Sequence, residues 1–390
     1  MNKTLIAIIS LMIVPISGLG IDIYVPSLPA MASYFGVGAH IVQYTITIYI
    51  AGYAVSQLFA GFVSDVYGRR ITTLISLVVF GLMSLAIILF KQVDFILLCR
   101  FIQGFSVEFF AVSQRAIVVD VYANDSKKMQ NMMSYVSIAW SIGPIIAPAI
   151  GGYLQHYFNW QANFIFLIVY ICVAFTLFLF FVPETLKHKS NINLAYIRES
   201  YLTILTNKNF NWALLCNGTL YTIGISFSTI GAFIIEQQME YSSIQFGYCA
   251  LLLGVGWFIG NVLKRMLHRY SIQKKVFFAT NVTLLIIIIA FILSFKWLNI
   301  YSLVVPIIVM NIFAGMIFAS YFVFSATMFP RFAGNAGALY GSGFLFFTSI
   351  VGSILGRIIS TTSATPLLLS YVVLTLICYI STRLITFKKP

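Results

Sequence analysis

Long apolar stretches recur along nearly the whole chain, and they constrain its fold more than any other feature. Hydrophobic residues make up 60% of the 390 residues and charged residues only 8%, whereas a soluble domain averages about 25% charged residues. A helix of about 20 apolar residues is long enough to cross a hydrocarbon core of about 30 Å. The sequence therefore predicts an all-α membrane protein.

Twelve such stretches can be delimited, and they are numbered in chain order as spans 1 to 12. They cover roughly residues 5–32, 41–63, 71–90, 95–118, 130–154, 161–182, 210–235, 243–263, 275–295, 298–323, 334–356 and 364–386. Lys3 and the apolar run after it resemble a signal peptide. No small-residue cleavage site follows, so this run is interpreted as span 1.

A polar connector over residues 187–209 divides the chain into a first half, residues 1–186, and a second half, residues 210–390. Apolar residues at helical spacing predict an amphipathic helix in it that lies along the membrane surface. These residues are Leu194, Ile197, Tyr201, Ile204 and Leu205. The sequence after span 8 also repeats part of the pattern after span 2, which indicates that the two halves are related repeats.

Lysines and arginines are concentrated in alternate loops. If the N terminus is cytoplasmic, eighteen of the 23 lie on the cytoplasmic side, three (Lys91, Lys296 and Arg357) lie outside, and two lie within span 4. Cytoplasmic loops of membrane proteins are enriched in these residues, so both termini are predicted to be cytoplasmic. Basic loops facing anionic lipid also explain the net charge of +13 without nucleic acid as a partner.

The sequence offers no support for enzymatic chemistry, a cofactor or a metal site. It contains no GxGxxG, HExxH, GxSxG or phosphate-binding GK motif. Its five cysteines are scattered through the spans without paired spacing. The expected partners are the lipid bilayer, a small-molecule substrate and protons, and the chain is expected to be a monomer.

Four charged residues lie too deep in predicted spans to be assigned to loops: Asp22 in span 1, and Arg100, Glu108 and Arg115 in span 4. No acid falls inside a predicted span of the second half. A charge at the centre of a membrane helix costs roughly 2.5–3.5 kcal/mol, so these side chains are expected to pair and to face water. At about 100° per residue, the three residues of span 4 share one face.

Burial and a neighbouring arginine act in opposite directions on a carboxyl group and can leave it titrating near neutral pH. Asp22 is therefore predicted to be the principal proton carrier and Glu108 the second, with Arg100 orienting the two acids and Arg115 extending the charged face. The alternative is a purely structural ion-pair network that orients the helices.

Several motifs resemble those of one transporter family. The segment from Gly61 through Asp65 and Gly68 to Arg69 and Arg70 resembles the loop between the second and third helices of major facilitator transporters. The segment 100–104 matches the Arg-x-x-Gln-Gly motif of their fourth helix. The segments 22–29 and 183–186 are similar to the Bcr/CflA group of drug/proton antiporters.

A further segment resembles the Gly-Pro-rich motif that antiporters of this family carry in their fifth helix. Its residues are Gly143, Pro144, Pro148, Gly151 and Gly152. Small residues let helices approach closely and slide, and prolines favour local bending.

The resemblance implies the major facilitator fold, in which two six-helix bundles enclose a site at mid-membrane. It also implies a conformational latch in which Asp65, Arg69 and Asp120 stabilise an outward-open state, with Asp65 facing the start of span 11 near Ala333 and Gly334. The expected function is a proton-coupled antiporter that exports a small organic molecule or drug across a bacterial inner membrane by alternating access.

Substrate identity is less constrained. The chain is 16% aromatic, and aromatic pockets favour flat, lipophilic or cationic molecules. The predicted cavity residues are Tyr24, Gln103, Tyr135, Asn217, Tyr221, Tyr340 and Phe344. Alternative functions are a dedicated exporter or importer of an endogenous metabolite such as a siderophore or amino acid, and a transporter-like receptor or scaffold.

Overall fold

The computed structural model describes residues 3–187 and 194–387. It contains eleven helices that are long and apolar enough to cross a membrane, and a bent pair of helices that makes a twelfth when it is counted as one span. The predicted all-α membrane fold with twelve spans is thus confirmed. Residues 188–193 of the predicted connector, and Lys189, Lys388 and Lys389 from the charge count, lie outside the described residues.

The spans begin and end close to the predicted positions. They are Lys3–Phe35, Ala39–Gln57 with Ala60–Tyr67, Arg69–Leu89, Val93–Val121, Ser126–Tyr157, Trp160–Phe181, Lys208–Gln238, Ser243–Met266, Ile272–Leu293, Ile300–Thr327, Pro330–Ile358 and Ala364–Leu384. The connector contains a helix over Leu194–Leu205. Because successive spans alternate in direction, the connector and the ends of the even-numbered spans share one side, called the terminal face. The other side is called the opposite face.

Within each half, the second and fourth spans cross at close range through glycines. A Cβ added to Gly104 of span 4 would come within 1.9 Å of the Tyr49 carbonyl oxygen of span 2. In the second half, a Cβ on Gly260 of span 8 would come within 1.9 Å of the Ile312 carbonyl oxygen of span 10. The same crossing therefore occurs twice, as expected for parallel repeats.

Span 2 is not the single helix over residues 41–63 that the sequence predicts. It bends by 53° between Gln57 and Ala60, so most of the expected charged loop is helical. Only Gly68 forms the turn, with a φ of 106° that a side chain would disfavour. Gly61 was expected to permit close helix approach, but a Cβ there would meet nothing within 4 Å.

The two halves meet mainly where span 2 packs on span 11 and where span 5 packs on span 8. The Gly-Pro motif of span 5 serves one of these contacts and also a contact within the first half. Gly143 and Gly151 lie against backbone carbonyls of span 1, whereas Gly152 and Pro148 lie against the first residues of span 8. Small side chains at these positions let span 5 approach its own half and the other half simultaneously.

Candidate functional site

Asp22 lies at a break in span 1. It ends the helix Ile16–Asp22, and the next element is the short 3₁₀ turn Val25–Ser27. Pro26 has no N–H to bond the Asp22 carbonyl four residues earlier, which accounts for a break at this point. Asp22 is 9% exposed, and its carboxylate forms no salt bridge with any described residue.

Asp22 is also at the junction of the two halves. It lies near Tyr49 of span 2 and Tyr221 of span 7. The half-buried Tyr221 ring packs edge-on against Phe344 of span 11, with ring centroids 5.4 Å apart. The second half thus presents an aromatic wall near the buried acid of the first half.

Arg100 is fully buried among the helices of the first half. Its guanidinium lies between the rings of Tyr24 and Tyr49, 4.6 and 4.2 Å from their centroids. Its Nη2 donates to the Gly20 carbonyl at 2.7 Å, and its Nε donates to the Thr45 carbonyl at 3.3 Å. Arg100 therefore binds the last turn before Asp22 and fixes the position of that turn.

The predicted continuous charged face is split by these contacts. Arg100 forms no salt bridge with Asp22 or Glu108 within the described part of the chain, because backbone carbonyls of spans 1 and 2 take its hydrogen bonds. Tyr24 and Gln103, which are predicted to line the cavity, lie beside Arg100 in this conformation. Both are fully buried, and Gln103 accepts a hydrogen bond from Arg100 Nη1 at 2.7 Å.

Glu108 and Arg115 form an ion pair two turns apart on span 4, as their spacing predicts. The Glu108 side chain is 4% exposed and that of Arg115 is 44% exposed. The second carboxylate oxygen of Glu108 is buried and has no hydrogen-bond partner among the described residues. A charged side chain inside a span is expected to face a water-filled cavity, so the exposed Arg115 guanidinium is a candidate for contact with such a cavity.

The remaining predicted cavity residues divide into two groups. Tyr135 of span 5 is 52% exposed, and Tyr221 and Phe344 form the aromatic wall near Asp22. Asn217 and Tyr340 are instead fully buried in the second half. They donate hydrogen bonds to the carbonyls of Phe318 and Ala213, at 3.1 and 2.8 Å, and therefore hold its helices together.

The side-chain hydrogen bonds that join the two halves directly lie toward the opposite-face ends of the spans. The hydroxyl groups of Tyr153 in span 5 and Tyr248 in span 8 are 2.5 Å apart. The Ser243 hydroxyl donates to the Gly152 carbonyl at 3.1 Å. The Ser349 hydroxyl of span 11 donates to a span 2 carbonyl at 2.8 Å. These bonds join the halves on the side away from Arg115.

The residues predicted to form a latch lie together at the terminal face. Arg69 contacts Asp65 one turn earlier, and its Nε is 3.6 Å from an Asp120 carboxylate oxygen. No hydrogen bond joins Asp65 to Ala333 or Gly334 of span 11 in the described residues, in contrast to the expectation. All three latch residues belong to the first half, so in this conformation their ion pairs do not cross the junction.

Glu184 also belongs to this cluster, although the sequence analysis predicts no role for it there. Its two carboxylate oxygens accept hydrogen bonds from the backbone amides of Arg69 and Arg70, each at 3.1 Å. A carboxylate at the first amides of a helix satisfies unpaired donors and complements the helix dipole. A Cβ on Gly68 would come within 2.3 Å of this carboxylate. The available signals were the resemblance of the segment 183–186 to the Bcr/CflA group and an acid in a loop on the same predicted side as the arginines.

The connector helix contacts both halves. The Tyr201 hydroxyl donates to the Leu58 carbonyl at 2.6 Å, at the bend of span 2. Burial raises the pKa of Tyr201 to about 12, so its hydroxyl stays protonated and can donate. Asn335 of span 11 donates to the Ser200 hydroxyl at 2.6 Å. The connector therefore spans the junction at the terminal face.

Glu236 was missed because span 7 was predicted to end at residue 235. The span continues to Gln238 through π-helical turns at Phe227–Gly231 and Ile234–Gln238. It thereby places an acid within the last turn of a second-half span, near the opposite face. Its Oε1 is buried and has no hydrogen-bond partner among the described residues.

Twelve membrane spans in two related halves, with ionisable side chains at their junction, define a membrane transporter rather than an enzyme. The model of the Major Facilitator Superfamily matches residues 11–354, and the chain belongs to this family. The resemblance inferred from the motifs is thereby confirmed.

Two relatives carry names that refer to drug resistance. The chain is 27% identical to a bicyclomycin resistance protein homolog of Haemophilus influenzae, over 88% of this chain and 87% of the relative. It is also 27% identical to multidrug resistance protein D of Escherichia coli, over 85% and 83% of the two chains.

Solved structures support the fold. The nucleoside transporter NupG has a TM-score of 0.78 at 13% identity, with 98% of this chain and 99% of that chain covered. A D-xylose-proton symporter has a TM-score of 0.76 at 10% identity, with 98% and 96% covered. At these identities the likeness shows the fold alone.

Proposed function

We propose that this transporter is a proton-coupled antiporter that exports small organic molecules by alternating access. The observation that carries the proposal is the buried, unpaired Asp22 at the helix break of span 1. A carboxylate there gains and loses charge at the junction of the halves, so its protonation changes how the site holds a ligand. The drug-resistance proteins among the relatives support export as the direction.

The contacts between the halves support alternating access. Hydrogen bonds hold the halves together toward the opposite face, whereas Arg115 and Tyr135 are exposed toward the terminal face. This arrangement corresponds to a state open to the terminal face. The lysine and arginine distribution supports a cytoplasmic terminal face in a bacterial inner membrane. In this state the latch formed by Asp65, Arg69 and Asp120 is released from span 11.

Asp22 and Glu108 have different roles in this proposal. Asp22 carries the exchanged proton, and Arg100 positions it through the Gly20 carbonyl. Glu108 is held by Arg115 and tunes the charge that a substrate meets. Protonation of Asp22 from outside releases the substrate, and deprotonation inside restores the binding site.

Transport in proteoliposomes tests the proposal. Asp22→Asn, whose neutral amide mimics the protonated acid, should abolish transport driven by a pH gradient and bind substrate more weakly, while the purified variant keeps the thermal unfolding of the wild type. Asp94→Asn is the matched control, because Asp94 is an exposed acid in the first turn of span 4. Coupled transport by Asp22→Asn at the wild-type rate would refute the role of Asp22.

A further inference from the structure

We propose that a cavity on the outer side of the first half binds the phosphate group of an anionic membrane phospholipid. The cavity has a volume of about 430 Å³, within the range of about 300–1,000 Å³ typical of ligand pockets. It is lined by Leu5, Arg70 and the segment 179–184. It is separate from the junction that contains Asp22.

Its position places it where the bilayer meets water. Arg70 is the second residue of span 3, and the segment 179–184 follows span 6 past its end at Phe181. The main contacts of the second half are with spans 2 and 5, not with spans 3 and 6. Phe180, which lines the cavity, is 74% exposed. The cavity therefore opens toward lipid rather than toward the transport pathway.

Arg70 is the cation in the terminal-face cluster that lacks an acidic partner. Asp65 and Asp120 pair with Arg69, and the Glu184 carboxylate is occupied by backbone amides. Among the described residues, no carboxylate oxygen lies within 4.0 Å of the Arg70 guanidinium.

The hydrogen-bonding capacity of Arg70 is also largely unused. Its Nη2 donates to the Leu179 carbonyl at 2.8 Å, and its Nε is buried and has no partner among the described residues. A guanidinium has five N–H donors and matches the geometry of a phosphate.

The apolar lining complements this charge. Leu179, Phe180, Phe181 and Val182 lie beside the guanidinium in one cavity, so a ligand there meets a phosphate-binding group and a hydrocarbon surface together. Basic pockets between membrane helices at the cytoplasmic surface bind phospholipid head groups. A free anion would use the charge but not the apolar wall, which favours a lipid as the occupant.

Native mass spectrometry of the delipidated protein, titrated with phosphatidylglycerol, tests this site. Arg70→Gln should weaken binding about tenfold, because a charge-assisted hydrogen bond is lost. Lys128→Gln is the control, since Lys128 is a cation at the same face that already pairs with Asp125 at 3.4 Å. Equal phosphatidylglycerol affinity of wild type and Arg70→Gln would overturn the proposal.

A second variant separates binding from folding, because Arg70 also bonds the end of span 6. Phe180→Ser changes only the exposed wall and should weaken lipid binding with unchanged thermal unfolding in detergent. Two competitors identify the ligand that the site prefers. Millimolar inorganic phosphate tests a free anion, and phosphatidylcholine with the same acyl chains tests a lipid without net charge. The proposal is supported if neither displaces phosphatidylglycerol, and it is overturned if either competes on equal terms.

Discussion

In the first half, spans 1 and 4 bury Asp22, Arg100 and Glu108. The corresponding region of the second half is held by uncharged groups such as Asn217 and Tyr340. Yet both halves are built on the same glycine crossing between their second and fourth spans. The comparison indicates that the same helix packing can hold charged residues in one half and uncharged residues in the other. The first half carries the charges, and the second half supplies an aromatic wall.

The largest effect is expected from the buried guanidinium of the first half. Arg100→Leu removes the donor to the Gly20 and Thr45 carbonyls and should lower the free energy of unfolding by about 3–5 kcal/mol. Tyr340→Phe removes one neutral hydrogen bond in the second half and should cost about 1 kcal/mol. Thermal unfolding in detergent compares them. Similar losses would mean that the buried charge contributes no more than a hydroxyl group.

The shared scaffold predicts equal effects in the two halves. Gly104→Ala and Gly260→Ala each place a methyl group against a backbone carbonyl and should cost about 1–3 kcal/mol. Gly337→Ala is the control, because a Cβ there meets nothing within 4 Å. The same unfolding measurement applies. Destabilisation confined to one half would break the proposed equivalence of the crossings.

The Glu108–Arg115 pair predicts a change in charge preference. Glu108→Gln leaves Arg115 without a charged partner and should raise the affinity for an aromatic carboxylate about tenfold relative to its neutral amide. Isothermal titration calorimetry with such a ligand pair measures the ratio. Asp94→Asn should leave the ratio unchanged. An unaltered ratio in Glu108→Gln would show that the exposed guanidinium does not contact substrate.

The smallest effect is expected at the acid of the second half. Glu236 lies at the end of span 7, away from the Asp22 break, so Glu236→Gln should change transport driven by a pH gradient by less than about twofold. Proteoliposome uptake measures this. A loss as large as that expected for Asp22→Asn would mean that both halves carry a coupling acid.

Hydropathy and motifs were enough to predict the twelve spans, the family and the proximity of Arg69 to Asp65 and Asp120. Such features depend on local composition and on residues near a common turn. Helical spacing also predicted the Glu108–Arg115 pair, because both residues lie on one helix.

The partners of Arg100 could not be predicted, because they are backbone carbonyls of other spans and carry no sequence signal. Helical spacing placed Arg100 on the same face as Glu108, but packing against the broken span 1 directed its hydrogen bonds elsewhere. The hydrogen bonds of Asn217 and Tyr340 could not be predicted for a related reason. A polar or aromatic residue in a span can line a cavity or bond a neighbouring helix, and only tertiary contacts distinguish the two.

Proton release on substrate binding to the purified protein tests the central claim most directly. In weakly buffered detergent solution at neutral pH, adding substrate should release protons from the wild type and from Glu236→Gln. Asp22→Asn should bind the substrate more weakly and, even at a substrate concentration that saturates it, release no protons. Equal proton release from Asp22→Asn and wild type would contradict the assignment of the exchanged proton to the first half.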